Sequence, residues 1–243
     1  MSAAPGPAVR ADLARREIVL LDAGGTLITL DYDELRRHLP VAGASGDAAP
    51  ADSTLDAAEG RARVWGAAAA GRGVAGRALW DGYFGRILGE VGVSEAGHTA
   101  ALDALWRAHH ERGLWRRPIP GALEVVARLH AAGRRLAVVS NAEGQVEQDL
   151  AAAGFGAYLE TVVDSHLVGV AKPDPRIFAI ALERLGAGAE QALYVGDVPA
   201  YDVAGARAAG IPAVLLDPWG IHADVGDAVR IASLAELPAL LGI

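Results

Sequence analysis

The chain has 243 residues, 52% of them apolar and 21% charged, with a formal net charge of −8 and no cysteine. A chain of this length buries a substantial core, the composition is that of a folded rather than a disordered protein, and the missing cysteines exclude a disulfide framework, a thiolate nucleophile and a cysteine-based zinc site. The acidic balance, with no basic stripe interleaved with aromatics, argues against nucleic acid or an anionic membrane as a partner.

In chain order, residues 1–16 read as a flexible N-terminus. The stretch MSAAPGPAVRADLARRE carries five charged residues before any apolar run, so no signal peptide is expected. Nothing approaches the roughly eighteen consecutive apolar residues of a membrane-spanning helix, and a cytoplasmic protein is the expectation. Ile18–Leu21 is the first buried strand, cut short by Asp22. About a hundred residues with helical periodicity follow before the next strand, which predicts an inserted helical domain over 31–116. Its candidate helices are Tyr32–Leu39, Ser53–Ala70, Arg77–Val91 and Ser94–Arg112, with Trp65, Trp80, Tyr83, Phe84, Leu88 and Trp106 available for a small bundle core. PVAGASGDAAPADS (40–53) reads as a mobile loop and Arg116–Gly121 as the return hinge. The remainder alternates helix and strand: GALEVVARLHAAG (121–133), strand Leu136–Val139, a weaker strand Thr161–Val163, PRIFAIALERLGAG (175–188), strand Ala192–Val195, DVAGARAAG (202–210) and strand Ala213–Leu216. Such alternation predicts a doubly wound, mostly parallel α/β sheet, built from 17–30 and 117–243.

In a sheet of this kind ligands bind beyond the carboxyl ends of the strands, and polar residues gather there. Asp22 follows the first strand in LLDAGGTL, Ser140 and Asn141 follow the second in VVSN, and Asp197 and Asp202 follow the third in YVGDVPAYD. Lys172, in VGVAKPDP, is the one lysine among 22 basic residues, a compact ammonium where every other cation is a guanidinium. Taken singly these residues have plain structural readings: Asp22 as a turn residue, Ser140 as a satisfied hydroxyl, Asp202 as a helix N-cap. Their joint placement on separate strand ends and loops points instead to an active site.

The order DxxGTL, VVSN, KPDP and GDxxxxD resembles the haloacid dehalogenase superfamily, in particular its members with a helical cap inserted after the first strand, and the likeness spans nearly the whole chain. It implies a hydrolase for a small phosphorylated substrate, with Mg²⁺ as cofactor. Asp22 would be nucleophile and metal ligand, the Gly24 carbonyl and Asp197 would complete protein ligation, and Asp202 would support the metal. Thr26, Ser140, Asn141 and Lys172 would hold the phosphoryl oxygens. Charge favours the scheme, because three carboxylates and one ammonium leave −2, which one Mg²⁺ cancels. The intermediate would be an aspartyl phosphate on Asp22, hydrolysed by water.

One departure stands out. Family phosphatases carry a second aspartate two residues after the nucleophile, where this chain has Gly24. General acid help is worth about 10² to 10⁴ in rate for a leaving group that needs a proton. Three readings follow: a phosphatase for acidic leaving groups, or one with a substitute acid from Glu143, Asp31 or Asp33; a 2-haloacid dehalogenase, whose halide needs no proton but whose family members look metal-free and carry a neutral residue at the position of Asp197, whereas Asp197 and Asp202 both remain here; or a non-catalytic binding or regulatory protein. A phosphonoacetaldehyde hydrolase would need a second lysine. The sequence leaves the substrate and the oligomeric state open.

Overall fold

Leu21 and its three predecessors are sealed from solvent on both faces, and the rest of the sheet is built outward from this strand. The structure is a computed structural model that describes residues 5–39, 49–74, 76–222, 226 and 228–243. Helix α1 (Pro7–Ala14) leads into strand β1 (Ile18–Leu21). Part of the expected flexible N-terminus is therefore helical, anchored by the buried Leu13. After β2 (Ile28–Leu30) come α2 (Tyr32–Arg37), α3 (Asp52–Gly71), α4 (Gly76–Glu90) and α5 (Glu95–Arg112). Then follow β3 (Trp115–Pro118), α6 (Ala122–Ala131), β4 (Arg135–Ser140), α7 (Val146–Ala152), β5 (Leu159–Asp164), α8 (Ser165–Val168) and α9 (Pro175–Leu185). The chain ends with β6 (Ala192–Gly196), α10 (Ala204–Ala208), β7 (Ala213–Leu216), β8 (Val229–Ile231) and α11 (Leu237–Leu240). Most of the expected loop at 40–53 lies outside the described residues, and its last two residues open α3.

The main sheet has six strands in the order β5-β4-β1-β6-β7-β8, and each neighbouring pair is parallel. Side chains alternate between two cores, as a period of two requires. Val19, Leu21, Leu136, Val138, Leu193 and Val195 face α6, α7 and α11, while Ile18, Leu20, Ala137, Val139 and Tyr194 face α9 and α10. Helices therefore cover both faces, and the winding reverses at β1, which has β4 on one side and β6 on the other. The crevice at that reversal is where such folds place ligands.

Local chemistry sets the helix ends. Asp174 caps α9 by accepting the Arg176 N–H at 2.9 Å, Pro175 occupies the first turn, and Gly186 closes the helix at φ 62°. The segment Pro199–Val203 forms a π-helical turn ahead of α10, a wider winding that recurs at functional sites.

The chain divides into two units, Met1–Thr29 with Trp115–Ile243, and Leu30–Leu114. In the second, Leu55 and Ala62 of α3, Trp80, Phe84 and Leu88 of α4, and Leu105 of α5 are buried, whereas Trp65, Tyr83 and Trp106 are partly exposed. The Trp80 and Phe84 rings lie 4.3 Å apart at a 37° tilt, and Trp80 meets Trp106 edge-on at 5.0 Å, the latter a favourable geometry for an aromatic pair. Asp31 caps α2, and Tyr32 ties it to α3 through contacts of 2.6 Å to Asp56 and 2.7 Å to Glu59. No helix among the described residues is long and apolar enough to cross a membrane.

Candidate active site

Asp22 is the first residue beyond β1, and its N–H donates to the Val195 carbonyl at 2.8 Å, continuing the β1–β6 ladder by one step. Its carboxylate is thereby held at the mouth of the crevice. One strand over, Asp197 follows the end of β6, and the π-helical turn brings Asp202 back toward it. Asp202 is not an N-cap of α10: its Oδ2 reaches backward to accept the Val198 N–H at 2.8 Å. Asp22, Asp197 and Asp202 each offer a carboxylate oxygen within 4.8 Å of the others.

Lys172 completes the cluster. Its Nζ donates to Asp22 Oδ1 at 2.6 Å and Asp202 Oδ1 at 2.7 Å, and the side chain is only 3% exposed. Asn141 clasps the lysine loop from β4, since its Oδ1 accepts the Lys172 N–H at 2.7 Å and its Nδ2 donates to the Lys172 carbonyl at 3.0 Å. Ser140 is buried at the carboxyl end of β4. Thr26 is fully enclosed in the turn after Asp22, and its hydroxyl has no hydrogen-bond partner. Gly24 lies in the same turn, bridged to Ile28, and Gly25 takes φ 90°, a conformation that favours glycine.

Burial raises Asp22 to about 6, with the Asp202 charge pushing the same way and Lys172 pulling against both. For Lys172 burial alone would favour the neutral amine, but the charges of Asp202 and Asp22 outweigh it and the ammonium is held well above its ordinary range. The three carboxylates and one ammonium leave a local formal charge of −2. The arrangement can gather a small cation and present a carboxylate to an electrophile.

Two neighbours were not visible as site residues in the sequence. Tyr194, mid-strand in β6, places its hydroxyl 2.8 Å from Lys172 Nζ, 2.9 Å from Asp202 Oδ1 and 3.1 Å from the Val139 carbonyl; an aromatic inside an apolar run reads as core. His222 bonds the Asp197 backbone carbonyl, and burial holds it below its ordinary range against the pull of Asp217. Of the expected substitute acids, Asp31 accepts two backbone amides as the cap of α2, Asp33 pairs with Arg36 at 2.8 Å, and Glu143 is exposed on the loop after β4.

Known proteins place the chain in the same frame. It is 33% identical over 174 residues to a phosphoserine phosphatase of Thermus thermophilus, covering 68% of each chain. It is 42% identical over 98 residues to a phosphoglycolate phosphatase of Rhodospirillum rubrum, covering 40% of each. The magnesium-bound HAD-hydrolase YfnB of Bacillus subtilis shares the fold, with a TM-score of 0.68 at 22% identity over 94% of this chain and all of that one. Residues 17–210 match the family described as haloacid dehalogenase-like hydrolase, and with the strand order and site geometry above, the chain belongs to that family of hydrolases.

Proposed function

We propose that the chain is a Mg²⁺-dependent phosphatase for small phosphorylated molecules, acting through Asp22. The observation that carries this reading is the convergence of Asp22, Asp197 and Asp202 within 4.8 Å around the single lysine. The phosphatase names of its relatives support it. The donor set fits the metal, because three carboxylates present only hard oxygen, which suits a small dication. Asp22, Asp197 and Asp202 would hold the ion, with the Gly24 carbonyl alongside. When bound, it would offset the site's charge of −2 and so permit a carboxylate to approach a phosphate dianion.

The protein groups then divide the work. An Asp22 oxygen attacks phosphorus, the bond to the leaving oxygen breaks, and an acyl phosphate forms on Asp22. Water cleaves that intermediate, releasing inorganic phosphate and restoring the carboxylate. Lys172 and Ser140 would hold phosphoryl oxygens. Asn141 would contribute by fixing the Lys172 loop, and the enclosed Thr26 by supporting the turn that presents Asp22. With Gly24 in the acid's place, the leaving oxygen would depart as an anion or take its proton from water or from a substitute acid.

The test is a Mg²⁺-supplemented screen of phosphorylated metabolites alongside 2-chloropropionate, scored for phosphate and chloride. Phosphate release is expected, lost on chelation and reduced by about 10³-fold or more in Asp22→Asn. Full activity in that variant, or indifference to the chelator, would overturn the proposal. Chloride release would instead support the dehalogenase reading that Gly24 favours, and release of neither product the non-catalytic one.

A further inference from the structure

The Lys172 ammonium carries three N–H bonds and meets three acceptors: Asp22 Oδ1 at 2.6 Å, Asp202 Oδ1 at 2.7 Å and the Tyr194 hydroxyl at 2.8 Å. All three protons are spent within the protein, so a phosphoryl oxygen can be gripped only when one of these bonds opens. Opening the bond to Asp22 frees an ammonium proton and the nucleophile's oxygen in a single event. Asp202 is poorly suited to let go, since its Oδ1 also meets Tyr194 at 2.9 Å and its Oδ2 holds the Val198 N–H at 2.8 Å.

Tyr194 is built to stay in place. Its side chain is fully buried, its ring meets Phe178 edge-on at 5.0 Å, and it belongs to the same core as Val139, Ala181 and Ala206. The phenol accepts from Lys172 and has one proton of its own, to pass to Asp202 Oδ1 or to the Val139 carbonyl at 3.1 Å. It therefore fixes the ammonium from the core side, whichever acceptor its own proton takes.

We infer that Tyr194 is a positioning residue for the phosphatase reaction: its hydroxyl keeps Lys172 Nζ beside Asp202 while the Lys172–Asp22 hydrogen bond opens to admit a phosphoryl oxygen. The inference rests on the phosphatase reading above. Tyr194→Phe keeps the ring and its packing but offers neither acceptor nor donor, which leaves one ammonium N–H buried and unpaired.

The single lysine makes the ammonium directly observable, because ε-¹⁵N-lysine gives one Nζ signal from the whole chain. Wild type and Tyr194→Phe are compared for p-nitrophenyl phosphate hydrolysis with Mg²⁺, and for exchange of the Nζ protons with water in metal-free protein. The variant is expected to lose about tenfold in kcat, to keep KM and the Mg²⁺ half-activation concentration within about twofold, and to exchange its Nζ protons faster. An unchanged kcat, a loss carried by KM, or a fall in kcat with unaltered exchange would each overturn the assignment. If the wild type released phosphate from no substrate, the phosphatase reading would fall by itself. The exchange comparison would still stand, with equal rates overturning the hold on the ammonium and faster rates supporting it.

Discussion

Gly24 has room for a side chain. A Cβ built there would lie 3.7 Å from Trp115 Cδ1, ordinary contact, and its φ is not in the left-handed region. The fold therefore tolerates Gly24→Asp, which would place a carboxyl two residues beyond Asp22. We predict that this substitution raises turnover of alkyl phosphates on the order of tenfold or more, and of nitrophenyl phosphate far less, because only the alkoxide needs protonation. Parallel steady-state assays check it, and equal gains on both substrates would count against the role given to the position. For the unsubstituted protein, rates across a series of aryl phosphates should fall steeply as the leaving group becomes more basic. The candidates Asp22 and Asp197 were legible in the sequence because each closes a strand-like apolar run, and the structure brings them together with Asp202. Tyr194 was not, because a phenol inside such a run carries no local sign of what its hydroxyl meets.

Between elements, close approach is set by residues without side chains. A Cβ on Gly196 would overlap the Asp202 carboxyl, and one on Gly205 of α10 would sit 2.7 Å from the Phe178 ring and 3.0 Å from Pro173 Cα. Gly205 thus lets α10, which follows Asp202, pack directly against the segment that follows Lys172. Gly205→Ala is predicted to destabilise the protein by ~1–3 kcal/mol through overpacking and to lower activity by moving Pro173 and with it Lys172. Denaturant titration and phosphate release check the two effects, and an unshifted midpoint would refute the first. Strands β1 and β7 were readable to the residue, since burial on both faces demands an unbroken apolar run. Strand β8 was not, because Arg230 divides its three residues. Helix α1 escaped notice for a related reason: a single buried anchor, Leu13, leaves no periodicity to detect. The π-helical turn was invisible as well, and with it the backward reach of Asp202 to the Val198 N–H, which sets aside the alternative that it caps α10.

At the scale of the whole molecule, a chain of net charge −8 encloses a local −2 at its site. Asp22, raised to about 6 by burial with the help of Asp202, has a folded-state pKa above its ordinary value of 3.8. Its protonation therefore contributes stability that is complete below that ordinary value and is lost as pH rises through 6. On the proposed reading, Mg²⁺ would compete with the proton for the same oxygens, and it is predicted to raise Tm more at about pH 7.5 than at about pH 5. Thermal melts with and without the ion decide the matter, and an equal or reversed increment would contradict it. The ends of the chain have a simpler lesson. Leu13 of α1 shares one core with Leu237, Leu240 and Leu241, and Arg134 at the entrance to β4 donates to the carbonyls of Ala14 and Arg16. Arg128 of α6 likewise grips the carbonyl of Ile243. Helix α1 and Ile243 are both stitched beneath the amino edge of the sheet while the carboxylates of Asp22, Asp197 and Asp202 gather at the opposite edge, so an affinity handle fused after Ile243, or a bead holding it, would lie across the sheet from those carboxylates.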